Sequence, residues 1–211
     1  MLQFAMPSVP HVFLLSPAFC GGRRAKILLN ENSALALASR LRDGTLTLGE
    51  AFSFMSGLYF RGKLTYATAF GRGDDASTLV ITPTRGLQRP DMLINVALVH
   101  EFASVDVDAD DPRYRVPLER DVSALAARLP ADARVVLLGS VASGKYVNVL
   151  SGILSGRLYY PSSFIGRGDM SRGGLLLRSA AEAAELGYAV LDPGAQRRGP
   201  RPPKLDPIRT R

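Results

Sequence analysis

The chain has little cysteine, little histidine and no long apolar run, and each shortage excludes a class of protein. Its single cysteine, Cys20, excludes an internal disulfide framework and a cysteine-rich zinc site, and we expect it to be an inert core residue. The two histidines, His11 and His100, are too few for a histidine-built metal centre, so we expect neither a metal nor a cofactor. No apolar run approaches the ~20 residues of a membrane span. Residues 1–10 lack the features of a signal peptide, and we therefore expect a cytoplasmic protein with no membrane partner.

Charge is distributed unevenly along the 211 residues, whose net charge is +7. Residues 196–211 contain six basic residues and one acidic residue, which accounts for +5 and leaves +2 for the rest. Hydrophobic residues make up 46% of the chain, which excludes general disorder. The pattern predicts one domain over residues 1–192 and a basic, extended tail, rich in proline and arginine, over residues 193–211.

Short apolar runs alternate with amphipathic segments along the chain. The runs predict strands at 11–15, 78–82, 134–138, 157–160 and 188–191. Helices are predicted at 33–42, 48–70 with breaks near Gly57 and Gly62, 96–103, 118–129, 146–154 and 171–186. Continuous apolar strands between helices are typical of a parallel sheet that is covered on both faces. We predict an α/β three-layer sandwich with a central, mostly parallel sheet of four or five strands.

Four loops rich in glycine, serine and arginine follow the predicted strands, and ligands of such folds bind beyond the carboxyl ends of the strands. Small residues let backbone N–H groups approach a ligand, and helix N-termini after such loops favour anions. We therefore predict a site for a phosphate-bearing ligand. The candidate contacts are Ser16, Arg23, Arg24, Arg85, Ser140, Ser143, Lys145, Arg167 and Arg172.

Residues 139–145, GSVASGK, contain part of a phosphate-binding loop. The segment is followed by Tyr146, where such a loop needs a serine or threonine to bind magnesium, so we do not expect an ATPase. The segment is either a weaker phosphate contact or a strand-to-helix turn capped by Ser143.

Two carboxylates are candidates for acid or base chemistry. Asp169 lies in the unusual stretch 161–174, PSSFIGRGDMSRGG, where it either acts as an acid or base or pairs with Arg167 or Arg172 and holds the loop. Glu50 lies on a predicted helix, where it is either a buried functional carboxylate or an acid that stabilises the helix N-terminus.

Residues 134–178, RVVLLGSVASGKYVNVLSGILSGRLYYPSSFIGRGDMSRGGLLLR, resemble the C-terminal half of uracil-DNA glycosylases. In that superfamily a strand ends in a Gly-Ser type of turn, and a helix, a strand, a His-Pro-Ser-Pro-Leu-Ser loop and an Arg-Gly stretch follow. Residues 139–140 match the turn, residues 160–164 occupy the place of the His-Pro-Ser-Pro-Leu loop, and residues 167–168 follow it. The stretches GKYV and GRGDMSRGGLLLR are also similar to bacterial proteins of unassigned function.

The resemblance implies a uracil-DNA-glycosylase-like fold and a DNA-binding protein that flips a modified base out of the duplex and hydrolyses its N-glycosidic bond. It implies phosphate contacts by Ser162 and Ser163 and places Phe164 where the family inserts an apolar wedge. The chain departs from the family pattern at two catalytic positions. Residues 16–19 contain no water-activating Asp or Asn, and Tyr160 replaces the leaving-group histidine.

These departures leave two other functions open. The first is an enzyme that acts on a small nucleotide or nucleoside through the same loops, and the near-neutral body favours it. The second is a non-catalytic nucleic-acid-binding module that docks through the basic tail. The sequence predicts nucleic acid as the partner, with DNA as the first choice, and makes no prediction of the oligomeric state.

Overall fold

The computed structural model of the protein describes residues 11–71, 77–192, 195, 197–203 and 205. The strands within these ranges are β1 His11–Leu15, β2 Leu46–Thr47, β3 Thr78–Ile81, β4 Leu87–Gln88, β5 Leu93–Ile94, β6 Arg134–Leu138, β7 Leu158–Pro161 and β8 Tyr188–Val190. The helices are α1 Arg23–Leu29, α2 Ala36–Arg42, α3 Leu48–Ser56, α4 Leu58–Phe70, α5 Val96–Ala103, α6 Pro112–Arg128, α7 Gly144–Leu154 and α8 Asp169–Ala181.

The central sheet has the strand order β4-β3-β1-β6-β7-β8. Strand β1 pairs in parallel with β3 and β6, β6 pairs in parallel with β7, and the edge strands β4 and β8 run antiparallel to their neighbours. The prediction of an α/β protein with a mostly parallel central sheet is confirmed. The described sheet has six strands rather than four or five because the two-residue strand β4, which has no apolar run of its own, extends one edge.

Helices cover both faces of the sheet. Phe13 and Leu15 of β1 pack into a core formed with α1 to α5 and α8, whereas Val12 and Leu14 pack into a second core formed with α6 and α7. Both sets of side chains are buried, which explains why this strand has a continuous apolar sequence. The arrangement is consistent with a three-layer sandwich.

The chain leaves β1 and returns to the sheet on both of its sides. It first forms β3 next to β1 and later forms β6 on the opposite side of β1. A reversal of this kind opens a crevice between the carboxyl ends of β1 and β6, and ligands of open α/β sheets bind in such a crevice. The pairing of Leu15 with Leu138 places the ends of β1 and β6 side by side. A Cβ atom on Gly139 would lie 3.0 Å from the Cβ of Ser16, so this glycine allows the two strand ends to approach.

Two glycines bring α4 and α8 into backbone contact. A Cβ on Gly62 would lie 2.7 Å from the carbonyl oxygen of Gly173, and a Cβ on Gly173 would lie 2.7 Å from that of Leu58. The predicted break at Gly57 is confirmed, but the predicted break at Gly62 is wrong, because α4 continues through this residue. Gly62 allows α4 and α8 to pack closely together. This contact brings the next residue, Lys63, to the start of α8.

The first helix is the largest departure from the predicted elements. Residues 23–29 form α1, although the Gly- and Arg-rich sequence predicted a loop. The helix forms because Ala25 and Leu28 are buried in the core, a tertiary contact that outweighs the flanking glycines. The candidate residues Arg23 and Arg24 therefore lie in the first turn of a helix, where both are exposed.

The described part of the tail lies against the segment that precedes α8. Residues 197–203 form no helix or strand, and the carbonyl oxygen of Pro200 packs on Gly166, whose φ is +71°. The Arg167 guanidinium donates to the carbonyl oxygen of Pro203 at 3.4 Å. None of the helices in the described ranges has the length and apolar character that crossing a membrane requires.

Candidate functional site

A pocket opens at the carboxyl ends of β1, β3 and β6. Residues 17–21, which follow β1, form one wall, Pro83 follows β3, and Lys145 and Tyr146 lie at the start of α7 after β6. The end of α5 and the chain after it, including Asp106, complete the lining. The volume is about 330 Å³. This is the low end of the ~300–1,000 Å³ range of small-molecule sites, so the pocket suits one compact ligand.

Phe19 presents an aromatic ring at the pocket. Its side chain lines the pocket and remains 72% exposed, although phenylalanine is usually buried. A Cβ on Gly21 would lie 2.9 Å from the Phe19 ring, so the absence of a side chain there lets the ring lie over the loop. An exposed ring next to a cavity is suited to stack on a planar, aromatic ligand.

The pocket carries one side chain of each charge. Lys145 lies with its Nζ atom 5.4 Å from the centroid of the Tyr146 ring. Asp106 is exposed and supplies the carboxylate among the lining residues. A cation that can contact phosphate and a carboxylate that can accept a proton therefore share the cavity with Phe19.

A buried lysine lies beneath the carboxyl end of β1. Lys63 of α4 is 1% exposed, and its Nζ atom donates to the carbonyl oxygen of Ser16 at 2.5 Å and contacts the Ser16 Oγ at 2.8 Å. The amine also lies 4.4 Å from the ring centroid of Tyr59 and 4.9 Å from that of Phe60. Within the described ranges no carboxylate forms an ion pair with it.

The electrostatic surroundings of Lys63 favour its neutral form. Burial lowers the pKa of Lys63 to about 7, and the positive charge of Arg172 lowers the pKa further, whereas the charge of Asp169 raises it. Burial of an unpaired charge costs several kcal/mol. A lysine kept in such a place is a candidate for a functional role rather than a structural one.

A buried tyrosine, Tyr146, borders the pocket. Its side chain lines the cavity but is only 5% exposed. Burial raises the pKa of the Tyr146 hydroxyl. The buried Lys63 amine is thus hydrogen-bonded to Ser16, and Tyr146 lies in the lining of the ligand space.

Of the candidate phosphate contacts, Lys145 lines the pocket, and Ser16 lies under it. Ser143 is the N-cap of α7 but forms no side-chain capping bond, and Ser140 is half-buried at the preceding turn. Arg24 donates to the carbonyl oxygen of Phe54 at 3.2 Å. The other candidates are not brought to the pocket.

Arg85 is held by an acidic partner. Its guanidinium forms a salt bridge with Glu101 at 2.6 Å and also donates through Nε at 2.8 Å. The guanidinium next to Glu101 lowers the pKa of that carboxyl to about 2. A phosphate would have to compete with this carboxylate for Arg85.

The two carboxylates chosen from the sequence occupy structural positions. Glu50 forms a capping box with Thr47 at the start of α3 and accepts two hydrogen bonds from Arg40 at 2.6 and 2.7 Å, and these contacts lower the Glu50 pKa to about 2. Asp169 lies at the first position of α8, exposed, with an Arg172 nitrogen at 3.5 Å. Glu50 is therefore an acid that stabilises the N-terminus of its helix, and Asp169 pairs with Arg172. Neither residue lines the pocket.

Phe164 has no access to a DNA helix in this structure. The residue is fully buried and packs with its ring centroid 6.5 Å from that of Tyr59. The wedge assignment is therefore wrong for this conformation, since a wedge must protrude from the surface. Met170, 67% exposed at the start of α8, is the protruding apolar residue of this segment.

The polar residues around Phe164 are used within the protein. Ser162 donates to the carbonyl oxygen of Gly187 at 3.2 Å, and the buried Ser163 Oγ has no hydrogen-bond partner among the described residues. Arg167 donates to the Ser163 carbonyl at 3.1 Å. Arg172 is 7% exposed and donates to the carbonyl oxygen of Phe164, so it does not act as a surface phosphate contact.

Four residues that define the site were not predicted from the sequence: Phe19, Lys63, Asp106 and Tyr146. Lys63 had a signal in the sequence, because it shares the buried face of α4 with Tyr59, Phe60, Tyr66 and Phe70. A single lysine on an otherwise apolar helix face is unusual and marks a buried charge. No such signal marked Asp106, because the acidic turn in which it lies has the composition of an ordinary solvent-exposed loop.

Comparisons with protein-family models, with curated proteins and with solved structures find no match for this chain. Among the described residues, no group of three or more His, Cys, Asp and Glu side chains is placed to hold a metal ion.

Proposed function

We propose that the protein binds DNA, takes one modified nucleotide base into the pocket and hydrolyses its N-glycosidic bond. The observation that carries the proposal is the exposed ring of Phe19 at a compact pocket above the carboxyl ends of the parallel strands. An extruded base is planar and aromatic, and stacking on such a ring contributes ~1–3 kcal/mol. Lys145 in the lining would contact the flanking phosphate.

The order of elements supports the uracil-DNA-glycosylase-like fold as part of this proposal. Strand β6 is followed by the turn at Gly139 and Ser140, then by α7, β7 and the segment 161–168. This is the order that the resemblance implies. The parallel strands at the centre of the sheet place that segment and the loop after β1 at the same edge.

Asp106 supplies the carboxylate that the loop after β1 lacks. Hydrolysis of an N-glycosidic bond needs a water molecule that loses a proton as it attacks C1′ of the sugar. Asp106 is the carboxylate of the pocket lining, and a positioned general base contributes ~10²–10⁴-fold to a rate. We assign the water-activating role to this residue instead of Asp169 or Glu50.

A panel of DNA duplexes tests the activity. Each duplex carries one uracil, hypoxanthine, xanthine, 8-oxoguanine or 3-methyladenine, and abasic sites are scored by alkaline cleavage. We expect at least one duplex to be cleaved, and the D106N variant to cleave it about 100-fold more slowly. The matched control is Asp110→Asn, which changes an exposed carboxylate of the same turn that does not line the pocket. Cleavage of no duplex by the wild-type protein would contradict the proposed reaction.

Phe19→Ala tests base stacking apart from the reaction. We expect the affinity for the cleaved duplex to fall about tenfold, since the ring no longer stacks on the base. The thermal stability stays unchanged because the ring is mostly exposed. Leu93→Ala, at a 58% exposed residue outside the pocket, controls for loss of surface apolar area. If the F19A and L93A variants bound the duplex with equal affinity, Phe19 would not be part of the binding site.

A free nucleotide is the second candidate substrate. The body without residues 196–211 carries only +2, whereas duplex binding depends on many basic contacts. Thermal stabilisation by individual nucleotides, with no effect of oligonucleotides, would favour this alternative. Deletion of residues 196–211 distinguishes the glycosylase and the nucleotide enzyme from a binding module that depends on the tail. Only the binding module would lose its whole affinity for DNA.

A further inference from the structure

A second cavity, here called the tail cleft, lies between the start of α8 and the basic tail. Its volume is about 350 Å³, and no described residue lines both this cleft and the pocket at β1. We propose that the tail cleft binds a backbone phosphate of the DNA strand whose base enters the pocket, through the guanidinium groups of Arg167 and Arg201. This inference rests on the DNA binding in the proposed function and adds a second point of contact.

The tail forms one wall of the cleft through close contacts with the body of the protein. Gly166, at φ +71°, leaves room for the tail, since a Cβ there would lie 3.0 Å from the Cδ of Pro202. A Cβ on Gly174 of α8 would lie 3.5 Å from the Cδ1 of Leu205. Pro202 and Pro203 also restrict the tail backbone, because proline fixes φ. The tail wall is therefore already in place in the structure without a ligand.

The guanidinium of Arg167 is held in one orientation by three acceptors. Its Nε donates to the carbonyl oxygen of Ser163 at 3.1 Å, and its Nη1 donates to the Ser171 Oγ at 3.1 Å and to the carbonyl oxygen of Pro203 at 3.4 Å. The Arg167 Nη2 has no hydrogen-bond partner among the described residues, so its N–H groups remain for an anion. A side chain that is already ordered loses little entropy on binding.

Arg201 supplies a second positive charge from the opposite wall. Its side chain is exposed, lines the cleft and forms no ion pair with a described carboxylate. None of the described lining residues is acidic. Asp169 lies next to the cleft in the sequence but does not line it, and its carboxylate is 3.5 Å from Arg172. Two guanidinium groups without a competing carboxylate in the lining suit a phosphate.

Apolar side chains complete the cleft. Met170, which is 67% exposed, lines it together with Leu205, Pro202 and Pro203. The flexible, polarizable thioether of methionine adapts to apolar surfaces of different shapes. A nucleotide unit carries a phosphate next to the apolar faces of its sugar and base, so it matches both parts of the lining. Inorganic phosphate would use only the charged part.

The segment that forms the other wall starts at the same edge of the sheet as the pocket. Strand β7 runs parallel to β6, and residues 162–168 continue from its carboxyl end into α8. Neighbouring strands lie ~4.8 Å apart, and a DNA strand carries one phosphate per ~3.4 Å of helix axis. A strand with one base in the pocket therefore places a phosphate at the tail cleft within a few nucleotides.

Neutral phosphates test this contact directly. The probe is a duplex that carries one tetrahydrofuran residue, an abasic analogue that has no base to remove, and a methylphosphonate replaces one phosphate at a time on either side of it. We expect one or two adjacent replacements to weaken binding by the full-length protein about tenfold. The R201A and R167A variants should bind the unmodified duplex more weakly by a similar factor, and the same replacements should then have no further effect.

Arg197→Ala is the matched control, because it removes the same charge from the tail at a residue that does not line the cleft. Its affinity should change less than about twofold, since salt screens distant charges. R201A should also lower the slope of log K against log salt by about 0.9, the value of one lost phosphate contact. Thermal unfolding checks the fold of each variant, and the exposed Arg201 decides the question if R167A does not fold.

The outcomes separate this contact from the proposed reaction. Equal losses in R201A and R197A, or methylphosphonate effects that persist in R201A, overturn the phosphate contact and leave cleavage in the pocket intact. A methylphosphonate effect that disappears in R201A supports the contact even if no duplex of the cleavage panel is cut, a result that overturns only the reaction. No binding of the duplex by the wild-type protein overturns both.

Discussion

Gly173→Ala is expected to destabilise the protein by about 1–3 kcal/mol, although alanine favours helices by ~1 kcal/mol over glycine. The added Cβ would lie 2.7 Å from the Leu58 carbonyl oxygen and 2.9 Å from the Cα of Tyr59. Both atoms belong to the backbone of α4 and cannot rotate away, so the two helices must separate. Urea unfolding followed by circular dichroism measures the change in the free energy of unfolding.

The same contact predicts the effect of the reciprocal substitution. Gly62→Ala meets the backbone of Gly173 at 2.7 Å and should destabilise the protein by a similar amount. Gly152→Ala in α7 is the matched control, because no neighbouring atom in the described part of the chain, outside its own helix turn, lies within 4 Å of its Cβ position. That variant should gain up to ~1 kcal/mol from helix propensity. Equal stabilisation by alanine at all three positions would show that α4 and α8 do not touch through their backbones.

The pattern of apolar residues in the sequence was sufficient to predict the strands at the centre of the sheet. The runs at 11–15, 78–82 and 134–138 match β1, β3 and β6 within one residue, because both faces of each strand are buried and every position after the first is apolar. Strand β4 could not be predicted in this way. Its two residues pair with β3 only because Gly86, at φ +59°, turns the chain back on itself.

Glycine-rich sequence was ambiguous between ligand binding and helix packing. The stretch 161–174 was interpreted as a ligand loop, yet Gly173 lies inside α8 and serves its contact with α4. Arginine in the same stretch was equally ambiguous. Arg172 is buried and holds the Phe164 carbonyl, and only the path of the chain around it decides between this role and a phosphate contact.

The pocket residues depend on tertiary position rather than on local pattern. The rule that ligands bind at the carboxyl ends of parallel strands located the loop after β1 and the turn before α7. It did not distinguish Phe19, which is exposed, from Phe164, which is buried, since both are single aromatic residues in loops. Asp106 reaches the pocket from the chain after α5, and no spacing in the sequence relates it to Lys145.

Lys63→Met is expected to remove a rise in stability of about 2 kcal/mol between pH 7 and pH 9. Burial lowers the Lys63 pKa from 10.5 to about 7. The unfolded chain keeps this amine protonated up to ~pH 10.4, so between the two values the unfolded state binds more protons. The free energy of unfolding therefore rises with pH across this window by ~1.4 kcal/mol per unit. Below pH 7 the folded protein carries the full cost of the buried charge.

Urea unfolding of the wild-type and K63M proteins at several pH values from 6 to 9 measures this linkage as a difference. The difference isolates Lys63 from groups that both proteins share, such as Cys20, whose thiol pKa is raised to about 12 by burial and which affects stability in the opposite sense above pH 9. Lys26→Met, at an exposed lysine of α1, should leave the pH dependence unchanged. A pH-independent difference between wild type and K63M would mean that Lys63 stays protonated in the folded state. The pH at which the difference begins to rise gives the pKa of Lys63 in the folded protein.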